Sequence, residues 1–150
     1  MRKKMLIVRN MMESDLDRIA LLEKETFSDA WTTKSIVDTY NQSQAFIVIA
    51  ELDGKLAGYC IVYFALDEGE IARIAVDNRF RRQGVGQKLL EQVEKTCEEK
   101  GIIRLMLDVR ESNESARAFY KNYGFEEDGL RKNFYDMPKE DAVLMSMVLG

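Results

Sequence analysis

Residues 70–109 read EIARIAVDNRFRRQGVGQKLLEQVEKTCEEKGIIRLMLDV, and this stretch decides the fold. Glu70 to Val76 is a short apolar-rich run that reads as a strand. Arg79 to Gly86 bears glycine and arginine, and a helix starts within it. Val85, Leu89, Val93 and Cys97 recur at helical spacing and mark its apolar stripe. Gly101 follows as a C-terminal cap. Ile103, Leu105, Leu107 and Val109 then alternate as a second strand. Strand, helix, strand in this order predicts a βαβ unit, hence two parallel strands joined by a right-handed crossover.

Working outward toward the N-terminus, Lys55 to Phe64 predicts a strand that returns from Ala45 to Glu51 through Asp53-Gly54. Ala45 to Glu51 is almost continuously apolar, so both its faces should be covered. A turn at Asp67-Glu68-Gly69 leads into the deciding stretch. Further back, Met5 to Arg9 reads as a strand. Ser14 with Asp17 resembles a capping box ahead of Leu16, Ile19 and Leu22. A second helix carries Ile36, Val37 and Tyr40 on one face, and Trp31 sits in the break between the two. Toward the C-terminus, Ser112 or Asn113 caps a helix bearing Ala116, Phe119, Tyr120 and Tyr123, which Gly124 ends. Phe125 to Leu130 and Ala142 to Leu149 read as closing strands. The class is α/β, with a mixed sheet of about seven strands.

No proline- or glycine-rich linker divides the 150 residues, and the expectation is one domain over 1–150. Hydrophobic residues are 46% and charged residues 32%, ordinary for a soluble chain. Met1-Arg2-Lys3-Lys4 precedes an apolar stretch too short for a signal peptide, and no run is long enough to cross a bilayer. The expected location is cytoplasmic. The net charge of -4 argues against nucleic acid or an anionic membrane as a direct partner. There is no histidine, which removes Ser-His-Asp and Cys-His catalysis and the commonest zinc ligand sets, so no metal is expected. Cys60 and Cys97 have no short spacing and read as buried small hydrophobes. Acid–base chemistry is left to carboxylates, Tyr, Cys or Lys.

Arg81-Arg82-Gln83-Gly84-Val85-Gly86, between strand and helix, suits a pyrophosphate. Helix N-terminal N–H groups converge there, the helix dipole adds partial positive charge, and glycines let the backbone come close. It is not a P-loop, because no Gly-Lys-Ser/Thr follows, nor a dinucleotide fingerprint, because it has two glycines instead of three. By itself the hexapeptide also fits a charged turn whose glycines serve geometry alone.

The pattern Arg81-x-x-Gly84-x-Gly86 after Ile74-Ala75-Val76 resembles the coenzyme A loop of the GNAT acetyltransferase superfamily. So do Leu107-Asp108-Val109-Arg110-Glu111-Ser112-Asn113 and Ala118-Phe119-Tyr120-Lys121-Asn122-Tyr123-Gly124-Phe125. With Phe27-Ser28-Asp29-Ala30-Trp31 and Arg131-Lys132-Asn133-Phe134-Tyr135, the chain is similar to the ribosomal-protein-alanine N-acetyltransferases within it. The resemblance implies a mixed, mostly antiparallel sheet with a central splayed parallel pair and about four flanking helices. It implies acetyl-CoA as cosubstrate and the N-terminus of a small-subunit ribosomal protein as acceptor. Ile74, Ala75 and Val76 would then lie beside the pantetheine and acetyl group. Arg81, Arg82, Gln83, Gly84, Val85, Gly86 and Gln87 would hold the pyrophosphate, and Asn113 would touch the coenzyme.

The same resemblance makes Tyr120 the proton donor to the departing thiolate and Asp108 the proton acceptor. The related enzymes have glutamate at the latter position, so this carboxylate is one methylene shorter, and Glu70 is a reserve base. Read from the residues alone, Tyr120 also fits the helix stripe and Asp108 a strand end. Trp31, Phe134 and Tyr135 are expected to line the acceptor groove, although Trp31 also fits as a cover on the core. An α-amine with a pKa of about 7.7–8.0 is roughly 10–15% neutral at pH 7, against roughly 0.04% for lysine. A modest carboxylate base favours the α-amine. Other acceptors remain open, namely another protein N-terminus, a lysine or a small-molecule amine. So does a non-catalytic acyl-CoA-binding module.

Overall fold

The computed structural model describes residues 4–150, and the basic segment at 1–3 lies outside the described residues. Seven strands form one sheet. They are β1 (Leu6–Asn10), β2 (Ala45–Leu52), β3 (Lys55–Ala65), β4 (Glu68–Val76), β5 (Arg104–Arg110), β6 (Glu126–Asp136) and β7 (Lys139–Val148). Their order across the sheet is β1-β2-β3-β4-β5-β7-β6. Four α-helices flank it: α1 (Leu16–Thr26), α2 (Thr33–Tyr40), α3 (Val85–Lys100) and α4 (Glu114–Tyr123). This is the fold class that the sequence predicts. No helix among the described residues is long and apolar enough to cross a membrane.

Alternation along the strands divides the core in two. Val48, Cys60, Leu105, Leu107 and Val109 pack with Leu89, Val93 and Cys97 of α3 and Tyr120 of α4. Ile47, Ile49, Tyr59 and Ile61 pack on the other face with Ile19 and Leu22 of α1 and Ile36 of α2. Both cysteines are free and buried, as expected. β2 and β3 are covered on both faces, which explains their nearly unbroken apolar sequence.

β4 and β5 are parallel, but their ladder covers only Glu68↔Arg104, Gly69↔Leu105 and Glu70↔Met106. β4 continues to Val76 and β5 to Arg110, so the strands part toward their carboxyl ends. A register shift in β4 opposite Ile61 and Val62, leaving Ala72 outside the ladder, accompanies the divergence. The cleft between the separating strands lies beside the start of α3.

Several local expectations are corrected. Ser14 and Asp17 do not form the capping box. Asp15, buried between Arg9 (2.8 Å) and Arg18 (2.6 Å), takes the Met12 N–H instead, and α1 begins at Leu16. Tyr40 is exposed at the end of α2, and Thr39 takes the inward position, its hydroxyl against that of Tyr63. The β3–β4 turn is Leu66-Asp67, with Leu66 at φ 56°, so Glu68 and Gly69 already belong to β4. Ile103 is exposed and precedes β5. β6 runs beyond Leu130 to Asp136, because a register shift between Arg131 and Tyr135 lets it keep pairing with β7.

Gly58 carries a constraint that apolar patterning does not show. A Cβ there would stand 2.5 Å from the carbonyl oxygen of Ala75 and 3.1 Å from Leu89. Gly58→Ala must push the end of β4 or the first turns of α3. It is expected to lower stability by about 1–3 kcal/mol and to weaken acetyl-CoA binding, read by thermal melting and by calorimetric titration with the coenzyme.

Candidate active site

The loop from Asp77 to Gly84 leaves β4 and enters α3. The Asp77 carboxylate accepts the backbone N–H of Arg79 at 2.9 Å and pairs with its guanidinium at 2.8 Å, which ties Arg79 back on the turn. Arg81 and Arg82 are exposed and have no ion-pair partner among the described residues. Arg82 has φ 65° and Gly84 φ 77°, while Gln83 between them is not left-handed. Such alternation turns successive N–H groups toward one side. The left-handed conformation suits Gly84 and costs Arg82 about 1–2 kcal/mol. The first bond into the helix is Lys88 N–H to Gly84 O at 3.0 Å. The N–H groups of Val85, Gly86 and Gln87 therefore have no intrahelical acceptor. No acidic side chain lies in this first turn. Gly86 also serves packing: a Cβ there would stand 3.0 Å from the Phe119 ring of α4. The Val85 side chain is buried, so only its backbone faces the loop.

Ile74, Ala75 and Val76 pair with Cys60, Tyr59 and Gly58 on the β3 side. On the β5 side their ladder has ended, which leaves that backbone edge free for an extended ligand. Asn113 is exposed and caps α4, its Oδ1 accepting from Ala116 N–H at 3.2 Å.

Asp108 lies on β5 between Leu107 and Val109, which point into the α3 and α4 side of the core. Its own side chain, only 10% exposed, faces the other way. Burial raises its pKa above the usual carboxylate value, and the Arg131 guanidinium opposes the rise. Arg131 Nε stands 3.1 Å from Oδ1. The N–H is not aimed at that oxygen, which accepts no hydrogen bond despite being buried.

Tyr120 is buried in T-shaped contacts with Phe119 (5.3 Å) and Phe125 (5.6 Å). Burial raises its pKa strongly, with smaller contributions from Cys60 and Tyr135, so the hydroxyl stays protonated. Tyr135 is half-buried and senses the charges of Asp108, Arg110, Glu140 and Asp29. Arg110 lies 4.3 Å from its ring centroid and binds the carbonyl of Pro138 at 2.9 Å, pinning the β6–β7 turn. Phe134 is 46% exposed and meets Tyr135 edge-on at 5.0 Å. Trp31 is partly buried against Tyr63 at 6.5 Å, so it covers the second core. Glu70 is exposed at the last position where β4 pairs with β5, with no hydrogen bond to Asp108.

Sequence reading missed the group that holds the α1–α2 loop. Glu23, 1% exposed, accepts from the Tyr59 hydroxyl, from Arg73 NH2 at 2.6 Å and from the Trp31 N–H at 2.9 Å. Arg73 lies over Phe27 at 3.7 Å and reaches the Asp29 carbonyl at 3.1 Å. Two signals were present: a glutamate beside Leu22 on the apolar side of a helix, and an arginine inside an apolar strand.

Residues 16–125 match the Acetyltransferase (GNAT) family. A Bacillus subtilis (strain 168) relative is 36% identical over 144 residues, 95% of each protein, and its name gives [ribosomal protein bS18]-alanine N-acetyltransferase provisionally. An Escherichia coli (strain K12) relative carries that name outright and is 31% identical over 145 residues, 95% of this chain and 97% of its own length. The crystal structure of the ribosomal-protein-S18-alanine N-acetyltransferase from Escherichia coli superposes with a TM-score of 0.88 at 30% identity, covering 97% of this chain and 95% of that one. The matched segment holds both the diverging strands and the loop that opens α3, and the chain belongs to the acetyltransferase (GNAT) family as an acetyl-CoA-dependent N-acetyltransferase.

Proposed function

We propose that this enzyme moves acetyl from acetyl-CoA to the α-amine of the N-terminal alanine of ribosomal protein bS18, working in the cytoplasm as one catalytic domain over 1–150. The observation that carries the reading is the parting of β4 and β5 after three paired positions, next to the loop that opens α3; Asp108, Tyr120 and Tyr135 are read as the groups that serve it. The names of the relatives supply the acceptor.

The coenzyme fits as an extended ligand. Its pyrophosphate meets the N–H groups of residues 83 to 87, helped by the exposed Arg81 and Arg82. The pantetheine lies along Ile74, Ala75 and Val76, and Asn113 contacts it from the start of α4. The Val76 N–H is the donor closest in role to an oxyanion hole. The acceptor enters between Trp31 on the α1–α2 side and Phe134 and Tyr135 on the β6–β7 side. Asp108 takes a proton from the α-ammonium, directly or through one water that offsets the missing methylene. The amine nitrogen bonds to the thioester carbon and passes its second proton to solvent water, from which the Tyr120 oxygen regains a proton after the thiol has formed. The carbon–sulfur bond breaks, and Tyr120 delivers its hydroxyl proton to the sulfur. Burial holds that proton on Tyr120 until the thiolate forms, and a desolvated thiolate also binds a proton more tightly than in water.

The test pairs two peptides with acetyl-CoA and reads acetylation by mass spectrometry. One begins with free alanine followed by basic residues; the other has a blocked N-terminus and an internal lysine. Acetylation of only the first is expected. Modification of the second alone would replace the proposal with lysine acetylation. Coenzyme binding without reaction on either would point to another acceptor or to a non-catalytic module.

A further inference from the structure

We propose that Arg131 is a displaceable clamp on Asp108, which it faces while no acceptor is bound and leaves when the acceptor's α-ammonium arrives. The inference rests on the reading of Asp108 as the base. Three observations lead to it. The two charges are close, at 3.1 Å, yet the guanidinium N–H does not point at Oδ1, so the pair has Coulomb attraction without a directed bond. The partners differ in burial: the Asp108 side chain is 10% exposed and that of Arg131 is 53% exposed. The carboxylate is held in the sheet while the guanidinium borders solvent. Finally, Arg131 stands on the edge strand β6, at the start of its irregular stretch, where Asn133 has φ 54°. Its guanidinium lies 5.7 Å from the Phe134 ring, a second place where a cation can rest.

These features suit exchange of one cation for another. A primary ammonium carries three N–H donors and can aim one at Oδ1, which Arg131 in this pose does not. As the ammonium binds, Arg131 moves outward over Phe134. Asp108 then accepts the proton and becomes neutral. After the product leaves, Asp108 loses that proton to solvent, and the returning Arg131 favours its ionised form. Arg131 is thus a positioning residue that resets the base between turnovers.

Other charged or titratable groups near Asp108 have different engagements. Tyr135 of β6 feels its charge, and Arg110 of β5 is paired with Glu140 of β7 at 3.2 Å. On β4, Glu70 makes no hydrogen bond to it and Arg73 is held by Glu23. Asp29 of the α1–α2 loop pairs with Arg73, and Tyr120 of α4 sits in the core beyond Tyr135. Among the described residues, Arg131 is the cation that opposes the effect of burial on Asp108.

The experiment measures kcat and KM of the full chain with acetyl-CoA and the alanine peptide across pH, for the wild type, Arg131→Ala, Arg131→Lys and Asp108→Asn. Arg131→Ala should lower the peptide KM about two- to five-fold, the worth of a half-exposed ion pair that no longer competes. It should also move the acid limb of kcat/KM to higher pH. Removing the cation raises the Asp108 pKa, and the base works only above that pKa. Arg131→Lys should hold the limb near its wild-type position. An unchanged or higher KM, or an unmoved limb, would overturn the clamp. If Asp108→Asn is inactive in that case, the base reading survives alone. Wild-type kcat and pH profile in Asp108→Asn would remove both. Arg131→Gln, which keeps most of the stem, supplies the same readings if the alanine variant melts early.

Discussion

Tyr120→Phe is expected to lower kcat by about 10²–10⁴-fold, the usual contribution of a general acid, while acetyl-CoA binds as before. The substitution removes one oxygen from a ring that Phe119 and Phe125 hold edge-on, so the core keeps its shape. Thermal melting should therefore stay close to wild type. The chemical step changes because the coenzyme sulfur must then leave without its proton donor. An acetyl-donor analogue whose leaving thiol is more acidic would recover part of the loss. Stopped-flow single turnovers separate this step from product release. Wild-type turnover in the variant would return Tyr120 to the helix stripe and leave proton donation to Tyr135 or water.

The second large effect is structural. Glu23→Ala is expected to lower stability by about 3–5 kcal/mol, as when one member of a buried ion pair is deleted. Three groups lose their acceptor together. Arg73 is 14% exposed and would keep a nearly buried charge with only Asp29, which is itself mostly exposed. The Tyr59 hydroxyl is fully buried, and burial beside Glu23 keeps it protonated and donating. The Trp31 N–H would lose its partner on α1, and the α1–α2 loop would be hydrogen-bonded to the sheet through Arg73 and Asp29 alone among the described residues. For a chain of this size the expected fall in melting temperature is about 6–20 °C. Below the transition, the peptide KM should rise more than the acetyl-CoA KM if Trp31, which this loop carries, lines the acceptor groove as proposed. Comparing Glu23→Gln, Arg73→Ala and the double variant by calorimetry isolates the pair term. Additive losses would show that the two side chains act independently.

Legibility differed from place to place for physical reasons. The 3.6-residue stripe of α3 and the alternation in β5 are local patterns, written in consecutive residues. Asp53-Gly54 was equally plain: both residues have positive φ, and only a few residue types accept that. Errors fell at element ends, where competition between neighbours decides. Asp15 won the cap from Ser14 because two arginines bury it there, and Arg18 lies across the helix turn from Arg9 on β1. β6 outran its predicted end because a strand can absorb extra residues and resume its ladder, as Tyr135↔Glu140 shows.

The sequence by itself determined the α/β class, the loop between β4 and α3, and the resemblance that nominated Asp108 and Tyr120. Each depends on the order and spacing of residues within a few turns of chain. Only the tertiary structure decided what surrounds those groups. That β4 and β5 part after three paired positions is visible only once the strands are paired in space. That Gly58 must lack a side chain follows from the Ala75 carbonyl, seventeen residues away in the chain but pressed against it in space. The contact of Arg131 with Asp108 spans β7, and Glu23 gathers Tyr59 and Arg73 from β3 and β4. Long-range contacts of single charged side chains leave no periodic trace in the sequence, because one residue has no period.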